Sequence, residues 1–217
     1  TKMVTGLVAY REYGLDDIVT ISNPLVMGQI MKLEEGEQIT VENLLYGMLV
    51  YSGNDAAQAL ADFHPSGSDG FIAKMNATVK ELGLTDTSFT NPTGLEDSNH
   101  YSTVHDLALI GAEFMSHPEL ATIVSTKAIT VTDVTGEYVH ELESINELLG
   151  IVPGLKGVKT GWTENAGECL VAYTERDRHG VITALLGSYD RFGETTALVE
   201  WVFANHTWKK LEYHEIE

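Results

Sequence analysis

The chain has 217 residues, 43% of them apolar, enough to bury a substantial core as one large domain or two small lobes. Thirteen basic against 32 acidic residues give a formal charge of −19, which repels polyphosphate and anionic headgroups and argues against a nucleic-acid partner. A single cysteine, Cys169, excludes an internal disulfide, and no apolar run reaches the ~18 residues that a membrane span needs.

Met3, Val4, Leu7 and Val8 recur at helical spacing, which predicts a buried helix over residues 1–12. That helix is already in progress at Thr1, so earlier residues are expected upstream. Residues 18–22 read as a short strand, and Ile39-Thr40, after the Glu35-Gly36 turn, as another edge. Thr40 is placed to cap a helix carrying Leu44, Leu45, Met48 and Leu49 on one face. Asp55 is expected to cap the next helix, over 56–63, whose alanines permit close packing. Gly67-Ser68-Asp69 opens a further one with Phe71, Ile72, Met75, Val79 and Leu82 on one side and Gly83 as its stop. Asn91-Pro92-Thr93-Gly94 is a turn by composition. Ser102 or Thr103 then caps a helix with Val104, Leu107, Ala108, Gly111 and Met115 inward, ended before Pro118.

Near residue 128 the apolar period changes to two. Strands are predicted over 128–134, 155–160, 169–174 and 181–186, with Arg176 to Gly180 as the hairpin turn between the last two. A final helix over 191–204 directs Phe192, Leu198, Val199 and Val202 toward that sheet. Strands in tandem pair antiparallel, so the expected class is α/β: an antiparallel sheet flanked by helices, with a helical subdomain inserted between sheet segments.

Several kinds of chemistry lack their parts. His140-Glu141 has no second histidine four residues on, and His100 and His105 do not share a helix face, so neither a metal site nor a cofactor is expected. No glycine-rich phosphate loop follows a strand, and no Gly-x-Ser-x-Gly elbow occurs. Cys169 opens the apolar run Cys169-Leu170-Val171-Ala172, the setting of a small buried hydrophobe and not of a reactive thiol.

The informative stretch is Gly157-Val158-Lys159-Thr160-Gly161-Trp162-Thr163. It sets a cation, a hydroxyl and a glycine on a strand edge, where the missing Cβ of Gly161 lets another backbone come close. Lys159 and Thr160 would there offer a charge and a donor to an anionic group, although Lys-Thr-Gly alone fits a solvated turn equally well. Two further features accompany it: Lys2 in the first turn of a helix, and Ser52-Gly53-Asn54 between two helices. A lysine one helical turn after a serine shares its face and can take its proton.

Other segments join these three: Leu44-Leu45-Tyr46 leading into Ser52-Gly53-Asn54-Asp55-Ala56-Ala57, then Met75-Asn76, Leu82-Gly83-Leu84, Thr87 and Thr93-Gly94-Leu95. His100-Tyr101-Ser102-Thr103 with Asp106-Leu107-Ala108, and Asn146-x-Leu148-Leu149, continue the series. Lys2 as the second half of Ser-x-x-Lys, with the whole of Ser-x-Asn and of Lys-Thr-Gly following in this order, makes the chain resemble the D-alanyl-D-alanine carboxypeptidases, the type-5 low-molecular-mass penicillin-binding proteins. The resemblance runs from Thr1 to about Phe203.

It implies a β-lactamase/transpeptidase-like fold whose N-terminal strands are missing from this chain. A catalytic domain would cover 1–206, with 207–217 as an extension that starts a linker or second domain. The nucleophilic serine falls two residues before Thr1, outside the sequence. Lys2 would be the general base, its pKa lowered by the charge of Lys159 and by partial burial. Ser52 would relay the proton, and Asn54 would hold Lys2 and the substrate amide. Lys159 and Thr160 would bind a terminal carboxylate, Gly161 and Thr163 would line the substrate strand, and the Trp162 N–H would serve the oxyanion. Arg191 is a second candidate for the carboxylate, on an alignment that is not clean. The implied partners are a peptidoglycan stem peptide ending in D-Ala-D-Ala and β-lactam antibiotics as inhibitors. The implied place is outside the bacterial cytoplasmic membrane, with any membrane contact through segments outside this chain. A class A β-lactamase shares the motifs but needs a glutamate four residues before an asparagine, and Glu143 is three before Asn146. A catalytically silent peptidoglycan-binding module is the remaining alternative, favoured for the chain as it stands by the absent serine.

Overall fold

The structure is a computed structural model that describes residues 1–209; of the expected extension over 207–217, residues 210–217 lie outside the described residues. In chain order the elements are α1 (Lys2–Glu12), β1 (Ile18–Thr20), β2 (Gln38–Thr40), α2 (Val41–Leu49), α3 (Asn54–Asp62), α4 (Gly67–Glu81) and α5 (Val104–Met115). Then come α6 (Pro118–Val124), β3 (Ala128–Thr132), β4 (Val139–Glu143), β5 (Leu155–Thr163), β6 (Gly167–Arg176), β7 (His179–Ser188) and α7 (Arg191–Asn205).

Helix α1 is the axis of the helical part. Residues 2–9 are all buried, so the helix is enclosed by neighbours on every side, and apart from Lys2 and Thr5 these residues are apolar or glycine. Around it the faces of α2, α3, α4 and α5 contribute Leu44, Leu45, Met48, Leu60, Phe71, Met75, Ile110 and Phe114 to one continuous core. Three helices start where a side-chain oxygen takes an orphan amide: Thr40 from Asn43, Thr103 from Asp106 and Asp190 from Gly193, each worth about 1 kcal/mol.

Strands β5, β6 and β7 form an antiparallel sheet in that order. The alternation along β6 divides two cores. Val171 and Tyr173 face the helical core, where Gly111 of α5 admits the sheet so closely that a Cβ would stand 2.9 Å from Val171. Leu170 and Ala172 face the other way, toward Leu148, Leu149, Val152 and Val199 of α7. The sheet is therefore covered by helices on both faces, as expected.

Five local expectations need correction. The strand at 128 does not join the main sheet; β3 pairs with β4, Val131 opposite His140, as a separate hairpin. β4 was not predicted, because its buried positions are a histidine and a single leucine. Pro118 does not merely end α5 but starts α6 at its first turn, where a proline loses no hydrogen bond. Val104 is 47% exposed, and Ile110 and Phe114 supply the inward face of α5 instead. Cys169 is only partly buried, since it lies near the open end of β6.

Candidate active site

Lys2 stands in the first turn of α1, and only 9% of its surface is exposed. Its Nζ donates to Asn54 Oδ1 at 2.6 Å and to the carbonyl of Thr93 at 2.7 Å. Lys159, on β5, is equally buried, and its Nζ donates to Ser52 Oγ at 2.9 Å and to the Thr160 carbonyl at 3.0 Å. Ser52 and Asn54 are two residues apart in the turn between α2 and α3. Two lysines distant in the sequence are thus tied to one three-residue loop.

That loop is held under strain and by support from below. Ser52 sits at φ +70°, a left-handed conformation that costs a non-glycine residue about 1 kcal/mol or more. Asn54 is the first residue of α3, its amide bonded to the carbonyl of Gln29 and its Nδ2 to that of Met27, both at 2.7 Å. Gly28, at φ +88°, passes so close that a Cβ would stand 2.7 Å from Asn54 Nδ2, so no larger residue fits there. The N-cap of α3 is Gly53, not Asp55. The Asp55 carboxylate turns instead to the 27–33 segment, accepting from the amides of Met31 at 2.9 Å and Leu33 at 3.1 Å.

Burial shapes the electrostatics. Desolvation pulls the Lys2 pKa down to about 8, with the Asp55 charge opposing it. The expected primary role of Lys159 in this depression is not found; removal from water comes first. Lys159 itself is held well below its usual range, by burial and then by the charges of Lys2 and Arg191.

Arg191, the first residue of α7, reaches back to β5, where its Nη1 donates to the Gly161 carbonyl at 2.8 Å. Its buried Nε has no partner, and neither has the buried hydroxyl of Thr160. Unspent donors beside the Lys159 amine and on the Arg191 guanidinium form a setting for an anion. Gly161 pairs with Cys169 across the sheet, on a strand whose other edge pairs with no strand among the described residues. Trp162 and Thr163 lie further along β5. Trp162 is 65% exposed, and the Thr163 hydroxyl accepts from the Ala166 amide at 3.3 Å within the turn. The structure therefore gathers Lys2, Ser52, Asn54 and Lys159, with Thr160 and Arg191 adjoining, and leaves the two last side chains at the rim.

Sequence reasoning missed three supports: the Thr93 carbonyl on Lys2, the 27–33 segment under Asn54, and Glu96. The Glu96 carboxylate receives the Asn165 amide at 2.7 Å and its Nδ2 at 2.5 Å, joining the loop after Thr93 to the β5–β6 turn. Only Thr93 carried a signal, in Thr93-Gly94-Leu95; backbone carbonyls and loop contacts leave none. Among the described residues no three His, Cys, Asp or Glu side chains gather as a metal site.

The profile of a family described as D-alanyl-D-alanine carboxypeptidase matches residues 1–190. The chain is 34% identical to the D-alanyl-D-alanine carboxypeptidase DacF of Bacillus subtilis over 82% of its own length and 46% of that protein. It is 33% identical to DacA of Escherichia coli over 94% of its own length and 53% of that protein. It therefore spans about half the length of these relatives. The solved structure of the Streptomyces K15 DD-transpeptidase superposes with a TM-score of 0.86 at 33% identity, covering 94% of this chain and 86% of that one. A site tied together by two buried lysines and a Ser-Gly-Asn turn, in a fold shared with a DD-transpeptidase, belongs with that match: the chain is a member of the D-alanyl-D-alanine carboxypeptidase family.

Proposed function

We propose that the whole protein is a serine-type carboxypeptidase that removes the terminal D-Ala from peptides ending in D-Ala-D-Ala, such as peptidoglycan stem peptides, and that β-lactams acylate the same site. The observation that carries this reading is the convergence of Lys2 on Asn54 at 2.6 Å and of Lys159 on Ser52 at 2.9 Å. The reading requires a serine three positions before Lys2.

The steps follow from where donors and acceptors stand. An extended substrate lies along the open edge of β5, its carboxylate against Lys159, Thr160 and Arg191. The serine hydroxyl loses its proton to neutral Lys2 and attacks the penultimate carbonyl, while the Trp162 N–H supports the oxyanion. The C–N bond breaks, and the leaving amine takes a proton passed through Ser52. Water then hydrolyses the ester, with Lys2 again accepting the proton. With a pKa of about 8, roughly a tenth of Lys2 is neutral at pH 7, which suffices for a base at that pH.

Residues 1–206 form one catalytic domain in this reading, and the protein works outside the cytoplasmic membrane, where such peptides are found. Among the described residues no helix is long and apolar enough to cross a membrane. The test is incubation of diacetyl-Lys-D-Ala-D-Ala with the full-length protein. Release of one D-Ala per peptide is expected, together with a covalent label from a fluorescent penicillin. Folded protein that does neither would leave a silent peptidoglycan-binding module as the better account.

A further inference from the structure

The connection between β1 and β2 is long and has neither helix nor strand, yet it is the support of the catalytic turn. Its residues 27–33 supply the carbonyls under Asn54 and the amides on Asp55. Met31 is held from both ends: its N–H donates to Asp55 Oδ1 at 2.9 Å, and its carbonyl lies 3.0 Å from His140 Nδ1. His140 comes from β4, the strand absent from the sequence reading.

The other face of the ring identifies its state. His140 Nε2 is 2.7 Å from Glu37 Oε1, and both side chains are buried, at 6% and 0% exposure. The second carboxylate oxygen of Glu37 accepts the Glu34 amide at 3.0 Å. A carbonyl oxygen can only accept, so Nδ1 must carry a hydrogen. Nε2 then faces a carboxylate, and without a proton there a lone pair would be pressed against an anion out of water. The hydrogen bond that Nε2–H donates to Glu37 raises the His140 pKa; burial opposes it, and the charge of Asp55 on α3 adds to the rise. Lys32, next to Met31, is exposed. On the partner strand β3 the ring is opposite the apolar Val131.

We propose that His140 is a positioning residue for the peptidase site. As a cation bonded to Glu37 it clamps the Met31 carbonyl, and through Met31 and Asp55 it keeps the 27–33 segment in place under Asn54. Loss of its proton in alkaline solution releases that segment. The inference rests on the peptidase reading given above.

The test measures acylation of the full-length protein by benzylpenicillin as a function of pH, on the wild type, His140→Phe and Glu37→Gln. The wild-type rate should rise as Lys2 loses its proton and be reduced wherever His140 loses its own; Lys159, whose pKa is also depressed, is a second source of alkaline fall. His140→Phe should lower the acylation step about tenfold at pH 7, with little change in the dissociation constant of the non-covalent complex. Glu37→Gln should remove the part of the alkaline fall that belongs to His140 and leave the part that belongs to Lys159. The new amide can donate to a neutral Nε2 while its oxygen keeps the Glu34 amide and Nδ1–H stays on Met31. Nitrogen-15 spectra of the wild type at pH 7 should show both ring nitrogens protonated.

A bare ring nitrogen at pH 7, or an alkaline fall unchanged in Glu37→Gln, would overturn the proposal. So would a His140→Phe protein that loses thermal stability but acylates at the wild-type rate per folded molecule, since that is a merely structural role. A wild type that acylates with no alkaline fall defeats this inference alone. One that takes up no penicillin at any pH defeats the peptidase reading with it.

Discussion

Replacing Lys2 by methionine tests the electrostatic basis of the site without requiring any reaction. Burial lowers the Lys2 pKa from 10.5 to about 8. In the unfolded chain the amine is back in water and titrates at its ordinary value. Between these two values the unfolded chain binds more protons than the folded one, so stability rises with pH. The contribution is fully present above about 10.5 and is lost as the pH falls through about 8. A difference of about 2.5 units at 1.36 kcal/mol each amounts to roughly 3 kcal/mol. Lys2→Met has no titration there and keeps a similar unbranched volume. The depressed pKa of Lys159, set in part by Lys2, adds in the same direction. Urea unfolding of both proteins at pH 7.5, 9 and 10.5 is the assay. The stability difference should move by roughly 3 kcal/mol in favour of the wild type across that range. A difference constant to within about 0.5 kcal/mol would mean that Lys2 is solvated with an ordinary pKa, and its role as a base at neutral pH would fall.

Two other substitutions probe the supports. Asp55→Asn keeps an acceptor for only one of the Met31 and Leu33 amides, so urea unfolding should show a loss of about 2 kcal/mol. The same change removes the charge that holds the Lys2 pKa up, so the acid limb of penicillin acylation in the full-length protein should move to lower pH. Arg191→Ala should raise KM about tenfold for a D-Ala-D-Ala peptide with a free carboxylate and leave a C-terminal amide unaffected, a difference of about 1.4 kcal/mol. Equal effects on the two substrates would remove Arg191 from the carboxylate site.

Most helices were legible because their signals are local. Thr40 and Thr103 are caps whose oxygen meets an amide three residues on, and the apolar spacing in α2 and α4 reports the face each buries. Strands β5 to β7 alternate or run apolar for the same reason. What was misread depended on partners far along the chain. Asp55 has the right type and place for a cap, yet it bonds amides 22 and 24 residues away. In β4 a buried histidine, bonded to Glu37, replaces the apolar residue that alternation would show, so a strand looks like a charged loop.

The sequence alone determined the family, most of the helical and sheet segments, and the polar residues Lys2, Ser52, Asn54 and Lys159 that meet at the site. Those are properties of residue type and spacing, which survive without knowledge of neighbours. Only the tertiary structure decided how the parts act on one another: that burial more than Lys159 lowers the Lys2 pKa, that Arg191 reaches Gly161, and that a strandless segment underlies Asn54. Desolvation and hydrogen bonds to backbone depend on what is packed against a group, and that is settled by distances through space, to which the order of residues gives no direct measure.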